Sequence, residues 1–85
     1  MPFSSDHLDE LNLLSLFDTH SLQNGIKVHS HEAPTSMVEA ARRLYKKGLI
    51  TQVDGGYLTD LGFEAMEHAL KLLGILSTQP TMDIH

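Results

Sequence analysis

The sequence predicts an α+β domain with three main helices, a short strand and a β-hairpin in its C-terminal half. Three observations lead there. Apolar residues recur at helical spacing over residues 5–17, 35–47 and 60–76. Residues 49–59, "LITQVDGGYLT", place two strand-forming runs around a glycine-rich turn. Residues 25–31, "GIKVHSH", alternate in polarity as a half-exposed strand does.

The opening helix is "SDHLDELNLLSLF", residues 5–17. Ser4 or Ser5 can cap it, and Asp6, Asp9 and Glu10 suit the positive end of its dipole. Leu8, Leu11 and Leu14 share one face, while Leu13, Leu16 and Phe17 fall on the other. A helix apolar on both sides is buried on both sides, by its own domain or by a partner. "DTHSLQNG", residues 18–25, has turn chemistry, strongest at Asn24-Gly25. In the strand that follows, Ile26, Val28 and Ser30 face one way and Lys27, His29 and His31 the other.

Pro34 suits the first turn of the middle helix, and Ser36 with Glu39 fits a capping box. The helix is expected to run to about Lys47 and to stop at Gly48. Met37, Val38, Ala40, Ala41, Leu44 and Tyr45 make its buried stripe, with Glu39, Arg42, Arg43, Lys46 and Lys47 opposite. In the hairpin, Leu49 to Val53 enters, Asp54-Gly55-Gly56 turns and Tyr57-Leu58 returns. Thr59 caps the last helix, whose expected core stripe is Leu61, Ala65, Ala69, Leu72 and Leu76. A further stripe, Phe63, Met66, Leu70 and Leu73, has the 3-4-3 spacing of a coiled-coil seam. The domain is thus expected over residues 1–76, with a flexible tail over 77–85.

Eighty-five residues allow one small domain. A chain this short buries only about 60% of its unfolded surface, so partners that add core are favoured. Cysteine is absent, which excludes disulfides and thiolate metal sites. No apolar run approaches the roughly 20 residues of a membrane span, and the acidic start lacks the order of a signal peptide. A cytoplasmic location is the expectation. The formal net charge of −5 argues against a charge-driven, histone-like binder. Charge is nonetheless uneven, because four of the six Lys and Arg lie within "RRLYKK", residues 42–47.

A helix, then "GLI", then a hairpin with a glycine-rich tip, then "YLTDLG" opening a helix, resembles the winged-helix superfamily of bacterial regulators. The matching residues are Leu44, Gly48, Leu49, Ile50, Asp54, Gly55, Gly56, Tyr57, Leu58, Thr59 and Gly62. Gly48 can take the left-handed conformation that ends a helix, and Gly62 leaves room for close packing. The whole chain also resembles a small family of uncharacterised bacterial proteins of about this length. The winged-helix resemblance implies that residues 35–47 are a recognition helix and that residues 53–57 touch the nucleic-acid backbone. This chain departs from the pattern upstream. "HSLQNGIKVHSHEAP" stands where a further helix belongs, with room for no more than a short turn around His20 to Gln23.

The resemblance implies a DNA-binding transcriptional regulator. Arg42, Arg43, Lys46 and Lys47 could neutralise phosphates of double-stranded DNA, and Thr35 and Ser36 could donate to phosphate. The competing explanation is a solvated face, with cations placed near a helix C-terminus where the dipole favours them. Asp54 at the wing tip, with no Lys or Arg in "VDGGY", counts against a grip on the minor groove. The alternative function is a protein-interaction or dimerisation module that keeps a trimmed winged fold and binds no DNA. Leu13, Leu16, Phe17, Phe63, Met66, Leu70 and Leu73 exceed what one thin core needs. Either the first and last helices pack on each other and bury them all, or a homodimer does, which so small a core favours. His29 and His31 beside Glu32 invite a metal reading, but the spacing is generic and no second ligand pair follows, so no metal is expected. "DGG" lacks the spacing and the lysine of a phosphate loop. No cofactor and no enzymatic activity are expected.

Overall fold

The computed structural model describes residues 2–17 and 25–80. Among them the order is α1 (Ser5–Ser15), β1 (Ile26–Lys27), α2 (Thr35–Lys46), β2 (Ile50–Gln52), β3 (Gly55–Leu58) and α3 (Asp60–Leu76). The layout is α+β and winged-helix-like, as the sequence predicts. The expected turn over residues 18–24, and any helix around His20 to Gln23, lie outside the described residues.

Helix α1 starts in a reciprocal cap. His7 N–H donates to Ser4 Oγ (3.1 Å), and Ser4 N–H donates to His7 Nδ1 (3.2 Å). Helix α2 starts differently from expectation. Its N-cap is Pro34 and no side chain caps it, because Thr35 is already helical and Ser36 lies one residue inside. The Ser36–Glu39 capping box is therefore not formed.

The sheet is antiparallel, with β3 between β1 and β2. Gly55 and Gly56 are the first two residues of β3 rather than the tip, and Val53-Asp54 make the turn. Both glycines have positive φ, 132° and 75°. A Cβ on Gly55 would collide with the Ile26 carbonyl, and one on Gly56 with the Thr51 hydroxyl. The pair therefore lets β1 and β2 close on β3 from either side. Val28 N–H extends the ladder to Asp54 O (2.7 Å). The chain then turns, with Glu32 and Ala33 N–H donating to His29 O. His29 thus opens a turn and His31 lies within it, neither on a strand.

The core is Leu13, Leu14, Phe17, Val28, Ala40, Ala41, Leu44, Ile50 and Met66. Tyr45, expected inside, is exposed. Thr59 joins α2 to α3. Its hydroxyl donates to Gly48 O (2.6 Å) and accepts from Gly62 N–H (3.0 Å), while its N–H donates to Leu49 O (3.0 Å). Gly62 packs on that same Leu49 carbonyl, so the "GLI" and "YLTDLG" motifs meet backbone to backbone.

Candidate functional site

The cations of α2 do not form one free surface. At about 100° per residue the four span an arc of roughly 140°. Arg42 and Lys46 lie on its outer part, whereas Arg43 and Lys47 sit on the flank beside α1. Helix α1 answers them with acid. Arg43 Nε donates to Glu10 Oε2 (2.9 Å), Lys47 Nζ donates to Glu10 Oε1, and Arg43 also lies 3.8 Å from Asp6 Oδ1. Arg43 further donates to the Asp6 carbonyl at 3.3 Å. Glu10 is the one buried charged residue among those described, and it shares the inward face of α1 with Leu13, Leu14 and Phe17. Arg43 and Lys47, expected at phosphate, are thus paired with α1 in the free chain. Arg42 pairs with Glu39 at 3.6 Å in an exposed i,i+3 contact, and Lys46, Thr35 and Ser36 are exposed.

Burial disfavours a charged Glu10, yet the hydrogen bonds and charges of Lys47 and Arg43 outweigh it, so its carboxyl titrates below the ordinary 4.5. The Glu10 hydrogen bond in turn raises Arg43. A carboxyl with a depressed folded value stabilises fully above its unfolded value and loses that contribution as pH falls through the folded one. Thermal melts taken from neutral pH to about pH 3 should therefore show an acid-dependent loss in wild type. Glu10→Gln should start less stable and fall less steeply over the same range.

The apolar residues expected at a dimer interface divide in two. Leu13, Phe17 and Met66 are core residues with no surface to offer a partner, and Leu70 is half-buried against them. Leu16, Phe63 and Leu73 are exposed. Helix α3 is also turned relative to expectation. Gly62 and Met66 face inward, while Leu61, Leu72 and Leu76 of the predicted core stripe are exposed. The cause is Gly62. Only a residue without a side chain can rest on the Leu49 carbonyl, and that contact fixes which face of α3 docks. The last turns of α3 then run past the core, leaving Leu73 at 53%, Ile75 at 65% and Leu76 at 73% exposure. Leu72, Leu73 and Leu76 line an apolar groove with Leu8 and Leu11 of α1. After Lys71 the helix carries no charged residue.

His29, His31 and Glu32 are exposed, and among the described residues no group of three His, Asp or Glu is placed to hold a metal ion. Asp54 at the wing turn pairs with Lys27 at 3.3 Å. No helix among the described residues is long and apolar enough to cross a membrane. The role of Glu10 escaped sequence reasoning. Its one signal was a carboxylate at i, with Leu13, Leu14 and Phe17 at i+3, i+4 and i+7, on a helical face that has to be buried.

No curated protein and no solved structure matches the chain. A family model described as a family of unknown function (DUF5669) matches residues 1–77. That match takes in every helix and strand described above, and the protein belongs to this family.

Proposed function

We propose that the protein is an interaction module that self-associates through the apolar face of α1 and α3, on a trimmed winged-helix framework. The observation behind this reading is the solvent exposure of Leu72, Leu73, Ile75 and Leu76 at the end of a helix that is apolar all round there. A helix of that kind is stable in water only when something covers it. The α2 face supports the same reading by what it lacks. Acidic partners hold Arg43 and Lys47, and Glu39 pairs with Arg42, one of the two cations that remain. Sedimentation velocity on wild type should give a dimer at micromolar concentration. Leu72→Glu should give a monomer with a nearly unchanged fold, because Leu72 lies outside the core.

DNA binding is the second reading, favoured by the outward position of Thr35, Ser36, Arg42 and Lys46 on the helix that corresponds to a recognition helix. Two cations rather than four would then meet phosphate. At about −0.9 per contact, the slope of log K against log salt would be roughly −2. Absence of duplex binding at low salt would dispose of this reading. A slope near −4 would instead mean that Arg43 and Lys47 leave α1 to bind DNA.

A further inference from the structure

Resting on the self-association reading, we infer that two copies of the chain pair α3 against α3 in antiparallel orientation, along a seam of Leu61, Ala65, His68, Leu72 and Ile75. These positions are spaced 4-3-4-3, which keeps them on one side of a helix that meets another helix. All are exposed except Ala65, which is half-buried and small enough for close approach. The seam borders the groove that α3 makes with α1, since Leu72 belongs to both. A copy lying on the seam would therefore also cover Leu8 and Leu11. The surface holds both a helix and the groove beside it, as a two-fold contact between like patches requires.

Charge selects both the occupant and the direction. Glu64 and Lys71 are exposed and each immediately precedes a seam residue, Ala65 or Leu72, so they flank the same edge. Neither has an ion-pair partner among the described residues. In an antiparallel pair, such edge positions meet their counterparts running the opposite way. Glu64 of one copy then lies beside Lys71 of the other, twice over by symmetry. A parallel pair would set Glu64 against Ala69 and Lys71 against Leu76, with no compensation. A membrane surface fits less well, because Lys71 is the one cation on α3 and the chain is acidic overall.

The chain has no cysteine, so single cysteines report without background. Leu61→Cys and Ile75→Cys variants should each fail to crosslink with a short bismaleimide, because like positions lie roughly 20 Å apart along antiparallel helices. Mixed together, they should crosslink to each other. Glu64→Lys and Lys71→Glu should each weaken the dimer roughly tenfold, and the double variant should restore it. A dimer in which Ile75→Cys crosslinks to itself overturns the antiparallel pairing but leaves self-association standing, as does a dimer indifferent to the charge swap. A wild type that remains monomeric at high micromolar concentration overturns both, and one that instead sediments with phosphatidylcholine vesicles assigns the face to a lipid surface. Circular dichroism melts of each variant separate lost pairing from lost folding.

Discussion

Gly62→Ala is expected to cost about 3 kcal/mol, combining forced overpacking with loss of a helix cap. The new methyl group would collide with the Leu49 carbonyl oxygen, and a backbone atom cannot swing aside. Either α3 or the segment after Gly48 must move. Thr59 would then lose its bonds to Gly48 O and from Gly62 N–H together. A domain of this size has little more than about 5 kcal/mol of stability, so much of the chain would unfold at physiological temperature. Gly74→Ala, in the same helix, is the matched control. A Cβ there meets nothing within 4 Å, so it should stabilise the helix by about 0.5–1 kcal/mol through lower backbone entropy in the unfolded chain. Melting temperatures should therefore shift in opposite directions. Two shifts of the same sign would mean that Gly62 does not set the docking of α3.

Arg43→Glu should also destabilise the domain, by about 3 kcal/mol, although it changes a residue of an outwardly basic helix. The substitution removes the 2.9 Å bond to Glu10 and turns a carboxylate toward Glu10 and Asp6. Lys47 still reaches Glu10, which keeps the loss below that of a fully orphaned buried charge. Arg42→Glu, on the exposed arc, should stay within about 0.5 kcal/mol of wild type. Glu10→Leu combined with Arg43→Met should regain most of the stability, since apolar residues of similar size can replace a buried pair. Equal melting temperatures for Arg43→Glu and Arg42→Glu would return Arg43 to the list of free surface cations.

How much of this was legible in the sequence depends on the range of the interaction. The "GLI" and "YLTDLG" motifs, the left-handed Gly48 (φ 80°) and the Thr59 cap are set by residues within about a dozen positions, and each was readable. The hairpin was readable too, but not its tip, because Gly55 answers to Ile26 of β1, some thirty residues earlier in the chain. The same applies to Arg43 and Lys47. Their helical face is evident from spacing, but the carboxylate that claims them lies 33 and 37 residues away. Helix α3 presents a different difficulty. It is apolar on most of its circumference, so periodicity gives weak guidance about which side is inward. Gly62, four residues before Met66, marks that side through a backbone contact that no hydrophobicity pattern encodes.

The same excess of apolar surface on α3 is what the proposed function explains, and hydrogen exchange across a dilution series tests it directly. Backbone amides from Ala69 to Leu76 should be protected at high protein concentration and should exchange faster on dilution, as the second copy dissociates. Amides around Arg42 to Lys47 should be indifferent to concentration, because α1 covers that flank within one chain. Exchange over residues 69–76 that is fast at every concentration, or equally slow at every concentration, would contradict the claim that a second copy covers this helix.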